Sequence, residues 1–100
     1  MNAKPINAFA ETLRETLAEM PVDQTTVARA TGIPGPHLSG MKSGTRRVTP
    51  EYDLRLSRYF GTSVGFWLRL QVASDLRRTQ MEKGRQIARE VRPATVFAAT

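Results

Sequence analysis

The sequence predicts an all-α fold: five helices around a helix-turn-helix, with an extended helical segment at the C-terminal end. Three observations predict it. Apolar residues recur at three- and four-residue spacing in successive segments, as Phe9, Leu13, Leu17 and Met20 do first. Glycine or proline punctuates those segments at Pro21, Gly32, Gly44, Gly61 and Pro93. Between Gln24 and Arg47, two short helical patterns meet at a glycine turn, with small residues at the crossing and a short polar second helix.

Composition limits the possibilities. A chain of 100 residues supports one small domain with one core, expected over residues 1–92, with residues 93–100 as a flexible tail. No apolar run is long enough to span a bilayer, and Met1 to Phe9 lacks the apolar stretch of a signal peptide, so a cytoplasmic protein is expected. The absence of cysteine excludes disulfides and thiolate-held metal, and a single histidine rules out a histidine-rich site. No cofactor is expected.

The net charge of +6, with a pI near 10.8, points to a polyanionic partner, nucleic acid before membrane. Its distribution is uneven. Residues 1–23 carry net −2, residues 24–60 net +4, residues 61–76 are balanced, and residues 77–100 carry net +4. The positive charge therefore coincides with the helix-turn-helix half and the C-terminal segment. Ordinary solvated faces are the alternative reading.

Taken in order, Asn7 caps a first helix from about Ala8 to Met20. Its wet side bears Glu11, Glu15 and Glu19 in one row, either solvated surface or an interaction face for a basic protein. Asp23 or Gln24 starts helix two, whose first turn carries Thr25 and Thr26; exposed N–H groups and hydroxyls there suit a phosphate. Val27 and Ala28 are its apolar positions. Gly32 stops it in a left-handed cap, and Ile33 follows as an inward anchor.

Helix three spans about Gly35 to Lys42, entered through Pro34 and Pro36, with Leu38 and Met41 on its apolar side. The motif proper occupies residues 24–42. Gly35, Pro36, His37, Ser39 and Gly40 point outward, a thin set of base readers, because Gly35 and Pro36 offer no side-chain donor. Readout would rest on His37, Ser39 and Arg46 or Arg47, with shape and backbone contacts from neighbours such as Lys42 and Thr45. For His37 an ordinary exposed histidine is the alternative.

Thr49, Pro50 and Glu51 form a helix start. Helix four reaches Phe60, with Leu56, Tyr59 and Phe60 expected inside, Leu54 partly so, and Arg55 and Arg58 outside. Thr62 or Ser63 is the expected cap of helix five. The densest apolar stretch follows, Phe66-Trp67-Leu68, extended by Leu70, Val72, Ala73 and Leu76. So small a core cannot easily cover all sides of one helix. Either a second subunit meets part of it, with Phe66, Trp67, Leu70 and Gln71 as interface candidates, or all of it fills the monomer. From Arg77 to Arg92 the chain is charged and helix-permissive, interrupted by Gly84. Its apolar side (Met81, Ile87, Ala88, Val91) makes only a weak RNA- or lipid-binding helix.

Together, the exit Ser43-Gly44-Thr45-Arg46-Arg47, the run Leu54-Arg-Leu-Ser-Arg-Tyr-Phe-Gly-Thr-Ser63, and Phe66-Trp-Leu-Arg-Leu-Gln71 followed by Asp75-Leu-Arg-Arg78 resemble the HigA-type antitoxins, a branch of the Xre/Cro-like helix-turn-helix family. The resemblance covers about residues 21–80, and the Phe-Trp-Leu-x-Leu-Gln element is specific to that branch. It implies a five-helix, lambda-repressor-like domain that dimerises through its C-terminal region and binds a palindromic operator upstream of its own operon. It also implies a HigB-type toxin as partner, a small basic RNase related to RelE that cleaves mRNA on the ribosome. Under the resemblance Gln24 falls at the phosphate-binding start of helix two, His37 and Ser39 on the recognition helix, and Arg46 on the basic exit loop. Pro5-Ile6-Asn7-Ala8 departs from the family's His-Pro-Gly-Glu, Asp53 from its alanine and Val64-Gly65 from its Pro-Glu; Gly35 and Gly40 are unusual in the recognition helix.

A stand-alone repressor without a toxin is the alternative within the same fold. An enzyme is not expected. The lone His37 supports no Ser-His-Asp arrangement, no P-loop glycine pattern occurs, and Glu11 and Glu15 lie on a wet face.

Overall fold

The computed structural model describes residues 7–95. Five helices follow one another: α1 (Ala8–Glu19), α2 (Gln24–Thr31), α3 (Gly35–Ser43), α4 (Pro50–Phe60) and α5 (Phe66–Glu90). No strand occurs among the described residues, and no helix there is long and apolar enough to cross a membrane.

Each of the first four helices has a local chemical reason to begin or end. Asn7, Asp23 and Thr49 cap α1, α2 and α4 by accepting from Ala10 N, Thr26 N and Tyr52 N. Gly32 ends α2 at φ 72°, a left-handed conformation that costs glycine little. The turn into α3 then drives Ile33 inward, leaving it 2% exposed.

The core is built from every layer: Phe9 and Leu13 of α1, Val27 and Ala28 of α2, Ile33, Leu38 and Met41 of α3, Val48, Leu56 of α4, and Trp67 of α5. α1 packs on α3 and α5, while α4 packs on α2 and α5, so the α2–α3 pair rests on a scaffold of the other three. Trp67 is the hinge of that scaffold. It is fully buried, with Phe9, Phe60 and Phe66 around it at centroid distances of 6.1, 5.7 and 5.0 Å. Its indole N–H donates to Thr62 Oγ1 at 3.0 Å.

Four expectations need correction. Neither Thr62 nor Ser63 caps α5: Thr62 serves the Trp67 indole, and the cap position is Gly65 at φ 89°. Gly84 does not interrupt α5, which runs unbroken to Glu90. Leu54 is exposed rather than partly buried, at 52%. Most consequentially, Trp67 and Gln71 are interior residues of the monomer and have no surface to offer a second subunit. Trp67, Gln71 and Ser74 are spaced by four and three, one buried helical stripe. Phe66 and Leu70 are half-buried against the core. Apolar residues left open on α5 are Val72 and Leu76 proximally, then Met81 and Ile87. Past α5, residues 93–95 are exposed; the rest of the expected tail, residues 96–100, lies outside the described residues.

Candidate nucleic-acid interface

α3 buries Leu38 and Met41 completely and leaves Gly35, Pro36 and Ser39 exposed, with His37 and Gly40 half-covered. Full burial of two such side chains stabilises the helix on its scaffold by roughly 1.5–3 kcal/mol each. The polar edge is thereby held by a firm apolar base.

His37 is held from behind. Its Nδ1 lies 2.6 Å from the hydroxyl of Tyr52 on α4. The residue is neither a free surface histidine nor a core one, and Tyr52 is a partner that helical spacing alone could not reveal.

Gly40 explains the course of the exit loop. Its carbonyl accepts Thr45 N at 2.9 Å and Arg46 N at 3.0 Å. A Cβ at Gly40 would stand 3.1 Å from Arg46 Cβ and 3.3 Å from Thr45 Oγ1. The missing side chain lets the loop fold back against α3, seating Arg46 beside the recognition surface. Ser43 adds a hydrogen bond to Gly40 O, and its hydroxyl lies 3.0 Å from that of Thr45.

The two arginines of the loop are not equivalent. Arg46 is exposed and makes no ion pair among the described residues. Arg47 pairs with Asp75 of α5 at 2.5 Å, and Arg78 grips the other oxygen of the same carboxylate at 2.6 Å. The hydrogen bond from Arg47, reinforced by its charge and then by Arg78, holds the Asp75 carboxyl below the usual carboxylate range. Sequence placed Asp75 in the Asp75-Leu-Arg-Arg78 element but gave no sign that it pairs with Arg47.

At the start of α2, Gln24 and Lys42 come together: the Lys42 ammonium donates to Gln24 Oε1 at 3.0 Å. Arg14 of α1 donates to Lys42 O at 2.7 Å and satisfies a carbonyl in the last turn of α3. The Thr26 hydroxyl, expected to face a phosphate, instead donates to Asp23 at 2.7 Å. This bond and the one from Thr26 N keep the Asp23 carboxyl below its ordinary range. Thr25 remains exposed.

The structure therefore gathers Gln24, Thr25, Lys42, His37, Ser39, Thr45 and Arg46 on the α2–α3 pair and its exit loop, with Arg47 diverted toward α5. Glu11, Glu15 and Glu19 are exposed on α1 and form no ion pair among the described residues. No group of three or more His, Cys, Asp or Glu side chains that could hold a metal occurs there either.

Comparison with known proteins places this arrangement. No family model matches the chain. It is 43% identical over 54 residues to the uncharacterized HTH-type transcriptional regulator YbaQ of Escherichia coli K12, a match spanning 48% of each chain. It is 31% identical over 83 residues to virulence-associated protein I of Dichelobacter nodosus, covering 82% of this chain and 77% of that one. Among solved structures, Pseudomonas aeruginosa antitoxin HigA with the higBA promoter matches 90% of this chain and 98% of its own, with 33% identity and a TM-score of 0.79. By extent, identity and fold, the chain belongs to the HigA-type antitoxins, a branch of the Xre/Cro-like helix-turn-helix family.

Proposed function

We propose that the chain is the antitoxin of a type II toxin–antitoxin module: it neutralises a HigB/RelE-like mRNA-cleaving toxin and, as a homodimer, binds operator DNA to repress its own operon. The observation that carries the DNA half is a recognition helix with His37 and Ser39 on its open side and Arg46, which makes no ion pair among the described residues, seated beside it, in a chain similar over 90% of its length to an antitoxin solved with its promoter. α3 enters the major groove, Gln24, Thr25 and Lys42 hold the backbone, and His37, Ser39 and Arg46 meet base edges. Phosphate contacts of this kind make affinity fall steeply with salt.

The dimer rests on α5. Val72 and Leu76 are 57% and 59% exposed on the side away from the core, and every residue from Thr79 to Glu90 except Gly84 is exposed. A helical end of that length has little stability alone in water, and a second copy along it would supply the missing packing. Two copies would set their recognition helices about 34 Å apart, one turn of B-DNA. For the toxin, the acidic row of α1 offers charge complementary to a basic protein.

Co-expression with the immediate gene neighbour, followed by affinity capture and size exclusion, tests the whole reading. A stoichiometric complex with a small basic protein supports it, and charge reversal at Glu11 and Glu15 should then weaken capture. Undiminished capture by that variant removes α1 from the toxin interface. The likeness to YbaQ, a transcriptional regulator by name, favours a second reading as a stand-alone repressor. Retardation of its own upstream DNA without any toxin complex would select it.

A further inference from the structure

His37 lies in the first turn of α3 between the exposed Pro36 and Ser39. One edge of its ring is taken up by Tyr52, with centroids 5.9 Å apart, planes tilted by 45° and Nδ1 2.6 Å from Oη. Tyr52 is not a passing neighbour. Its backbone N donates to the α4 cap Thr49 at 3.2 Å, and its ring packs against the core. The opposite ring nitrogen, Nε2, makes no hydrogen bond among the described residues.

Which atom donates follows from the chemistry of the pair. A phenol is a stronger acid than the N–H of a neutral imidazole, and an unprotonated imidazole nitrogen is a stronger base than a phenol oxygen. Tyr52 therefore donates and Nδ1 accepts. A neutral imidazole that accepts at Nδ1 carries its proton at Nε2.

We propose that Tyr52 is a specificity-positioning residue: by donating to Nδ1 it holds His37 as an Nε2–H donor, so this position on α3 selects a base edge that presents an acceptor. In the major groove guanine offers acceptors at both N7 and O6, adenine one acceptor beside an amino donor, thymine one acceptor, O4, beside its methyl group, and cytosine an amino donor. A fixed donor favours guanine and opposes cytosine on the contacted strand. The Ser39 hydroxyl, able to donate or accept, imposes no such choice. This inference rests on the DNA-binding reading above and adds the hydrogen-bond polarity of one contact.

Tyr52→Phe removes the hydroxyl and keeps the ring, and the chain's single histidine gives one unambiguous imidazole signal. Nitrogen-15 correlation spectra of the free protein, with the ring neutral, should show a protonated Nε2 and an unprotonated Nδ1; Tyr52→Phe should average the two tautomers. Duplexes carrying the region upstream of the chain's own gene, substituted one base pair at a time, supply the second readout. His37→Ala and Tyr52→Phe should lose the guanine preference at the same base pair, by roughly fivefold. Affinity of Tyr52→Phe for a scrambled duplex should stay within about twofold of wild type. A wild-type Nδ1–H tautomer, or a Tyr52→Phe variant with the wild-type base preference, overturns the proposal while leaving DNA binding intact. A wild-type protein that retards no duplex overturns the DNA-binding reading and this contact with it.

Discussion

The carboxylate of Asp53, on α4, accepts the backbone N–H of Trp67 at 2.9 Å, the second residue of α5, and also those of Gly65 at 2.7 Å and Leu68 at 3.1 Å. α5 has no side-chain cap of its own, since its cap position is Gly65. An acid on a neighbouring helix supplies the missing acceptor and places negative charge at the positive end of the α5 dipole. Asp53 is 1% exposed, so the contact also locks α4 to the helix that carries Trp67.

Asp53→Ala should therefore destabilise the chain by about 2–3 kcal/mol, because buried N–H groups lose their partner. Asp53→Asn, which keeps one acceptor oxygen, should cost less. Urea denaturation checks both. A loss below about 0.5 kcal/mol for the alanine variant, the range of an ordinary surface change, would mean that the three N–H groups find other partners.

A second carboxylate gives a pH signature. Arg47, with help from Arg78, holds Asp75 ionised below the usual range. A depressed carboxylate contributes stability that is present above its unfolded value and is lost as pH falls through the folded one. Asp75→Asn should then be less stable than wild type near neutrality, by about 0.5–1 kcal/mol for a pair in which Arg47 is largely solvated. The difference should fade below about pH 4. Thermal melts of both proteins across that range test it; a gap that persists in acid would assign the effect to packing.

The same ion pair ranks the loop arginines in DNA binding. Arg46 makes no ion pair among the described residues and Arg47 is held at α5, so Arg46→Ala should cost more affinity than Arg47→Ala. If Arg46 reads a base, its loss should depend on sequence and amount to roughly 1–3 kcal/mol. If it touches only phosphate, the loss should be uniform and the salt slope should fall by about 1. Asp75→Asn, which releases Arg47, should tighten binding to random duplex. Equal losses for the two alanine variants would show that the ion pair opens on DNA.

What was legible in the sequence followed local rules. The first four helices begin where Asn7, Asp23, Pro34 and Thr49 place them, and Gly32, Gly44 and Gly61 end three of them in left-handed caps. Within the site, spacing sufficed to find the buried pair Leu38 and Met41 and the exposed Ser39. What escaped was carried by contacts between elements far apart in the chain. Tyr52 reaches His37 across 15 positions, Asp75 reaches Arg47 across 28, and Asp53 caps α5 from α4. In sequence Asp53 stood out only as a departure from the family's alanine, because its partners are backbone groups that no periodicity exposes.

α5 also shows how one hydrophobic count can mislead. Phe66 to Leu76 is rich in apolar residues on all sides, and sequence alone could not divide the face that fills the monomer from the face that would meet a second copy. Trp67 lies wholly on the first, and Val72 and Leu76 are exposed outside it. Substitutions should separate the two. Trp67→Ala empties the centre of the aromatic cluster and should cost about 3–5 kcal/mol, lowering the melting point whatever the oligomeric state. Leu76→Glu leaves that cluster untouched and should give a folded monomer that binds a single half-site weakly. Light scattering with circular dichroism distinguishes the outcomes. A Leu76→Glu protein that remains dimeric would place the subunit contact elsewhere, with the exposed Leu54 on α4 the next apolar side chain to change.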